Sequence, residues 1–262
     1  MLRIFQFFIV LFIQISTAIS APETDQTSQL PALWERSVII GASVSDGFHH
    51  TEPLGGPMSD SLALDVSLKK LLQNPKIQIT NLSNRLCFLT PLIISHKQIF
   101  DAKRKHPSVI IAVDQLFWHL YGRFSSNEDR LKTFQNALDN LSPLESPLII
   151  GNIPDASEAV RIMLSASQVP NLETINKANQ ILNEWVKKRI KNKKQTVIID
   201  LAEFMKLCAA NKEIKLNNIT YPAGITRDFL QADRLHPTPA GISAISYAVM
   251  DAMKTITPPA KP

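Results

Sequence analysis

Cysteine is nearly absent from this chain, with only Cys87 and Cys208 among 262 residues. That excludes a disulfide scaffold and a zinc-thiolate site. In an oxidising compartment the two could pair, and two buried free thiols are the alternative. Glycine is sparse too, at 8 residues, and none of it forms a P-loop or dinucleotide fingerprint, which argues against a nucleotide-dependent enzyme. Metal-ligand spacing is missing, so no metal and no other cofactor is expected. The charge surplus is small, +5 over the whole chain. Its densest run, Lys187-Lys188-Arg189 to Lys193-Lys194, falls at the end of a predicted helix, where positive charge complements the macrodipole. No nucleic-acid partner is expected. Repeats, low-complexity segments and an interdomain linker are all lacking.

What is present begins with an address. Met1-Leu2-Arg3 is a short positive segment, Ile4 to Ile13 is apolar except for Gln6, and Ala18-Ile19-Ser20 places small residues ahead of Ala21. Residues 1–20 therefore read as a signal peptide for a secreted or periplasmic protein. The apolar stretch is too short for a comfortable span of about 20 residues, and no cysteine follows it to receive a lipid. No stable membrane span is expected after cleavage, with an uncleaved anchor as the alternative. Residues 21–32 are polar and carry proline, as a flexible leader does. Residues 33–262 then make one domain of ordinary size.

Within that domain, short branched apolar runs alternate with stretches of helical period. Strands are expected at 37–41, 77–81, 109–113, 148–151 and 196–201, each nearly continuous in apolar residues, as in parallel strands covered on both faces. Helices are expected at 59–74, 96–105, 124–140, 156–165, 171–192 and 239–254. The fifth shows its stripe in Leu172, Ile175, Ala178, Leu182, Trp185 and Ile190. This pattern predicts an α/β fold, a three-layer α/β/α sandwich around a five-stranded parallel sheet of flavodoxin-like type.

Two motifs at opposite ends of the domain carry chemistry. Gly41-Ala42-Ser43 closes the first strand, and Asp233-Arg234-Leu235-His236-Pro237 precedes the last helix. A serine hydroxyl needs a base to take its proton, and an imidazole needs a partner to fix its tautomer. Asp233, three residues before His236, can be that partner. Thr238 as N-cap and Pro239 at the first helical position brace the loop that carries the histidine. The sharp exit from the first strand presents Ser43 rather than Ser45.

This chain order, with acid and base in one short segment, resembles the SGNH (GDSL) family of serine esterases and lipases. In that family the serine follows strand one in Gly-Asp-Ser, and the acid and base sit in Asp-x-x-His before the last helix. The resemblance implies catalytic roles for Ser43, Asp233 and His236. It departs at Ala42, which stands where the family has Asp. After the second strand, Asn81-Leu82-Ser83-Asn84-Arg85 lacks the family's oxyanion glycine, although any backbone N–H can serve. After the third, Ala112-Val113-Asp114-Gln115 replaces Gly-x-Asn-Asp. An ionised Asp114 aimed at the oxyanion would repel it.

Several escapes are open. Gln115 could donate after a one-residue shift, Asp114 could be protonated, or Asp114 could turn away to hold a polar substrate group or the loop. In the last case Asp114→Asn should leave small-ester activity equal or higher. Asn152 and Asp155, after the fourth strand, are weaker site candidates, with helix capping the plainer role for Asp155. The aromatic segment Phe117-Trp118-His119-Leu120-Tyr121 reads equally as a packed helix start or a substrate wall. His49 and His50 read as surface residues, and His96 and His106 as helix-flanking.

The resemblance implies a hydrolase working through a Ser43 acyl-enzyme on a small-molecule, lipid or acylated-carbohydrate ester. The rivals are a catalytically silent binding protein on the same fold and an acyltransferase that passes the group to a sugar or lipid alcohol.

Overall fold

The computed structural model describes residues 32–48 and 61–257. The signal segment, nearly all of the leader, and His49 and His50 lie outside the described residues. Leu33 and Trp34, the first bulky residues described, are already buried in the core.

Five strands form one parallel sheet: β1 (Ser37–Ile39), β2 (Ile79–Asn81), β3 (Val109–Ala112), β4 (Leu148–Gly151) and β5 (Thr196–Ile199). Their spatial order is β2-β1-β3-β4-β5. Alternation along each strand feeds two separate cores. Val38, Ile110, Ala112, Leu148 and Ile150 face one layer, while Ile39, Val109, Ile111 and Ile149 face the other. Both faces are therefore covered, which is why these strands read as continuous apolar runs and not as alternating ones.

Nine helices are numbered here among the described residues. α1 (Ser43–Asp46) is one turn directly after β1. α2 (Leu64–Leu72) and α3 (Pro91–Arg104) lead into β2 and β3. α4 (Phe117–Leu120) and α5 (Asn127–Leu141) lie between β3 and β4. α6 (Ser157–Met163) and α7 (Leu172–Lys191) connect β4 to β5. α8 (Leu201–Ala209) and α9 (Pro239–Lys254) follow β5. α3, α5 and α7 cover one face of the sheet, and α2, α8 and α9 the other. Cys87 and Cys208 are free and buried, one in each layer. Burial pushes both thiols up to about 12, so neither is a reactive thiolate at neutral pH.

The expected elements are present, with differences at their ends. The run read as a strand to Leu201 stops at Ile199, because Asp200 caps α8 by accepting from the Glu203 N–H at 3.0 Å. α8 itself is absent from the sequence expectation. So is the antiparallel pair β6 (Ile214–Leu216) and β7 (Ile219–Tyr221). Its signal was Asn217-Asn218, which occupy φ +50° and +64° as a two-residue hairpin turn demands.

A chain that winds from β1 to β2 on one side and to β3 on the other leaves a crevice at the C-terminal ends of β1 and β3, where open α/β sheets put their sites. Ser43 leaves β1 there, and Asp114 leaves β3.

Candidate active site

Strand β1 ends against Gly41, and the chain turns at once into α1. A Cβ on Gly41 would lie 2.2 Å from Asp114 Oδ1 and 2.7 Å from Ser45 Oγ. Only glycine lets the carboxylate come that close. Asp114 uses the approach fully. Its Oδ1 accepts from the Ala42 N–H at 3.0 Å and the Ser45 hydroxyl at 2.6 Å. Its Oδ2 accepts from the Val44 N–H at 2.8 Å and the Ser45 N–H at 3.4 Å. These amides are orphan donors at the start of a one-turn helix, so a side chain from the neighbouring strand caps α1. Gln98 adds a brace from α3, its Nε2 donating to the Gly41 carbonyl at 2.7 Å.

Asp114 thus turns toward the backbone of the turn that carries Ser43. Burial raises its pKa above the ordinary carboxylate value, opposed by the hydrogen bonds from Ser45, Ala42 and Val44. The three backbone N–H groups can only donate and so favour the carboxylate, while the Ser45 hydroxyl at 2.6 Å can serve either protonation state. The geometry reverses the expected neutrality of Asp114→Asn, because an amide NH2 would meet N–H donors.

Ser43 Oγ lies 2.9 Å from His236 Nε2, and His236 Nδ1 lies 2.6 Å from Asp233 Oδ2. The two chain ends, 193 residues apart, meet because both motifs leave the same edge of the sheet. Ser45, whose hydroxyl is spent on Asp114, makes no such contact with the imidazole. Asp233 Oδ1 accepts from the backbone N–H groups of Leu235 and His236 at 2.9 and 3.0 Å. Arg234 takes a left-handed φ of +57° to close this turn. Burial pushes the Asp233 carboxyl up, but the His236 ring and these two amides outweigh it and hold it below the usual carboxylate value. Gln231 fastens the loop, its Nε2 donating to the carbonyls of Phe48 and Pro237 at 2.9 Å each. Phe48 packs on the imidazole with ring centroids 4.3 Å apart.

Gln115 points into the core, its Nε2 donating to Ser95 Oγ at 2.7 Å, and Ser95 Oγ lies 2.8 Å from His119 Nε2. Asn152 borders the site, but its amide is tied to Asp200 Oδ1 and the Ala202 N–H at 2.8 Å each. Asp155 accepts from the Ser157 N–H at 3.1 Å, a turn contact just ahead of α6, whose N-cap is Ala156. After β2, the N–H groups of Leu82, Ser83 and Asn84 donate to Ile39 O, Asn81 Oδ1 and Gly41 O. Among the described residues no acceptor meets the Ser43 N–H. His96 lies within α3 and is exposed, and His106 follows the helix. No group of side chains that could hold a metal ion occurs among the described residues.

Beside Ser43 a cavity of about 50 Å³ penetrates the layer between the sheet and helices α8 and α9. Its walls include Val113, Phe117, Leu201, Phe204, Met205 and Ile245. Phe117 and Trp118 line it while His119 turns inward, so the aromatic segment is both a packed helix and a wall. Sequence reasoning missed Gln98, Gln231 and the α8 wall. The only available signal for the two glutamines was an amide where an apolar residue would otherwise pack.

His119 permits a prediction on stability. Burial, and then the positive potential of His96, lower its pKa from 6.5 to about 4. The native state keeps it neutral while the unfolded chain takes up the proton, so this contribution is complete above about pH 6.5 and is lost as pH falls toward 4. The loss is expected to reach roughly 3 kcal/mol. Urea melts across this range should show a shallower acid slope in His119→Gln than in wild type. Parallel slopes would mean that His119 is charged in the native state.

Compared with solved structures, the chain is similar in fold to a lipase/acylhydrolase from Enterococcus faecalis, with a TM-score of 0.56 at 14% identity over 86% of this chain and 100% of that one. It is similar to LAE5, an α/β hydrolase enzyme from the metagenome of Lake Arreo, with a TM-score of 0.52 at 16% identity over 85% and 96%. Axe2, an acetylxylan esterase from Geobacillus stearothermophilus, gives 0.52 at 14% identity over 87% and 97%. No protein-family model matches the sequence, and no curated protein matches it. At these identities the likeness shows the fold alone, the helix-covered parallel α/β sheet that the sequence predicted.

Proposed function

We propose that the protein is a serine ester hydrolase that takes a short acyl group from a polar alcohol. The observation that carries the reading is the continuous chain Asp233–His236–Ser43, with separations of 2.6 and 2.9 Å. In this reading His236 Nε2 accepts the Ser43 proton as Oγ attacks the carbonyl carbon, and Asp233 stabilises the resulting imidazolium. The Ser43 N–H, with no acceptor among the described residues, is the oxyanion donor. His236 then returns the proton to the departing alcohol oxygen, and a water repeats the sequence on the acyl-enzyme.

The cavity sets the acyl chain. Its walls are almost wholly apolar, and about 50 Å³ admits roughly three or four water-sized groups. Each methylene it buries is worth about 0.8 kcal/mol, nearly fourfold in affinity. With p-nitrophenyl esters, kcat/KM should rise from acetyl to about butanoyl and fall at least tenfold by octanoyl. Met205→Ala, which opens a half-buried wall, should move the optimum to longer chains. A profile that keeps rising to octanoyl would rule out this acyl site. On the β4 and β5 side lies an open groove of about 1220 Å³ that shares Ile153, Met205 and Leu230 with the cavity. It presents Asp155, Glu158, Asn176, Glu203 and Arg234, a lining suited to a hydroxyl-rich alcohol.

The decisive test is a fluorophosphonate probe followed by mass mapping. Labelling at Ser43 is expected. No labelling of folded protein would favour the silent binding protein, and release of acylated alcohol when a sugar acceptor competes with water would favour the transferase.

A further inference from the structure

Eleven large apolar side chains are exposed among the described residues, and six fall between positions 86 and 100. They are Leu86, Phe88, Leu89, Leu92, Ile93 and Phe100, with Leu89, Ile93 and Phe100 at 63%, 70% and 61% exposure. The first three belong to or follow the 3-10 turn Arg85–Phe88, and the others stand on the outer face of α3. Scattered exposed leucines need no explanation, but this concentration does. The same segment carries Arg85, Lys97, Lys103, Arg104 and Lys105 against a single acid, Asp101. Asp101 and Asp46, which holds Arg85, offset two of these five charges and leave a surplus of three, carried by Lys103, Arg104 and Lys105. Arg104 sits over the Phe100 ring at 5.7 Å, so a cation and an exposed aromatic share one spot.

We infer that this face docks the protein on an anionic lipid surface, with the apolar side chains entering the interface and the basic ones meeting headgroup phosphates. Exposed leucine, isoleucine and phenylalanine among lysine and arginine is the composition of a helix lying in a bilayer interface. A second copy of the chain fits poorly, since pairing the face with itself would bring two positive surpluses together. The face is also continuous with the site. The Arg85 side chain and backbone N–H bond Asp46 of α1 at 2.7 and 3.1 Å. Phe88 packs on Trp118, a cavity wall, with centroids 5.8 Å apart. β2 is the sheet edge away from β4 and β5, so the segment that follows it lies on the opposite side of the sheet from the strands that border the polar groove.

Co-sedimentation of the mature chain, from Ala21 onward, with vesicles tests this independently of catalysis. Binding is expected to phosphatidylcholine vesicles containing about 30% phosphatidylglycerol, to weaken as salt rises from about 0.1 to 1 M, and to be at least tenfold weaker on pure phosphatidylcholine. The pair Leu89→Ser/Ile93→Ser and the pair Lys103→Glu/Arg104→Glu should each lose at least tenfold in vesicle affinity. Their circular dichroism and activity on a soluble ester should stay unchanged, since all four side chains are exposed and outside the cavity. Equal binding to neutral vesicles, or full binding by both variants, overturns the inference. A dimer in sedimentation equilibrium that disappears in Leu89→Ser/Ile93→Ser also overturns it, in favour of self-association.

Discussion

Ser43→Ala is expected to lower turnover of a short-chain p-nitrophenyl ester on the order of a millionfold, as removal of a serine nucleophile from an intact triad does. The hydroxyl's only bond among the described residues is to His236 Nε2, at 2.9 Å. Removing it leaves the fold, the Asp233–His236 pair and the cavity in place. Thermal stability should change little, and fluorophosphonate labelling should vanish with activity. Ser45→Ala makes the matched control. Its hydroxyl braces Asp114, so it should weaken activity through the turn while leaving Ser43 open to the probe. Ser43→Ala retaining more than about a tenth of wild-type activity would place the nucleophile elsewhere, and so would labelling that survives the substitution.

Asp114→Asn should lower turnover by about a hundredfold, although Asp114 is absent from the bond-making chain. The carboxylate accepts four hydrogen bonds from the three residues Ala42, Val44 and Ser45 that surround Ser43. An asparagine keeps one acceptor oxygen and turns an NH2 on at least one N–H donor. That leaves a buried donor without a partner, costing roughly 1–3 kcal/mol, and the turn must shift to relieve it. A displacement near 1 Å of a reacting atom is enough for about a hundredfold loss. Because the defect is in position, it should appear in kcat more than in KM, and a urea melt should show the stability loss. Asp114→Asn with full activity would mean that Asp114 stops short of positioning Ser43.

The layered architecture was legible in the sequence because its determinants are local and periodic. Continuous branched runs such as Val109 to Val113 can only be buried on both faces, and the stripe Ile175, Ala178, Leu182 and Trp185 can only be a one-sided helix, although Leu172 and Ile190 at its ends face solvent. The pair Asp233 and His236 was legible for the same reason, since three residues of separation already put a carboxylate in reach of an imidazole. What local spacing could not decide was the direction of side chains at the crevice. Asp114 follows β3 whether it points at a substrate or at α1. That choice was made by Gly41, seventy-three positions earlier, whose missing Cβ lets the carboxylate reach the amides of the nucleophile turn. Gln115, one residue on, was turned into the core by Ser95 on a different helix. The acyl cavity is likewise invisible in sequence, because its walls come from strands β3 and β4 and helices α4, α8 and α9, which only packing brings together. Local chemistry named the serine, histidine and carboxylate that the fold brings together. Long-range contacts decided which of their neighbours hold the turn around Ser43, and which face solvent as an apolar, basic surface.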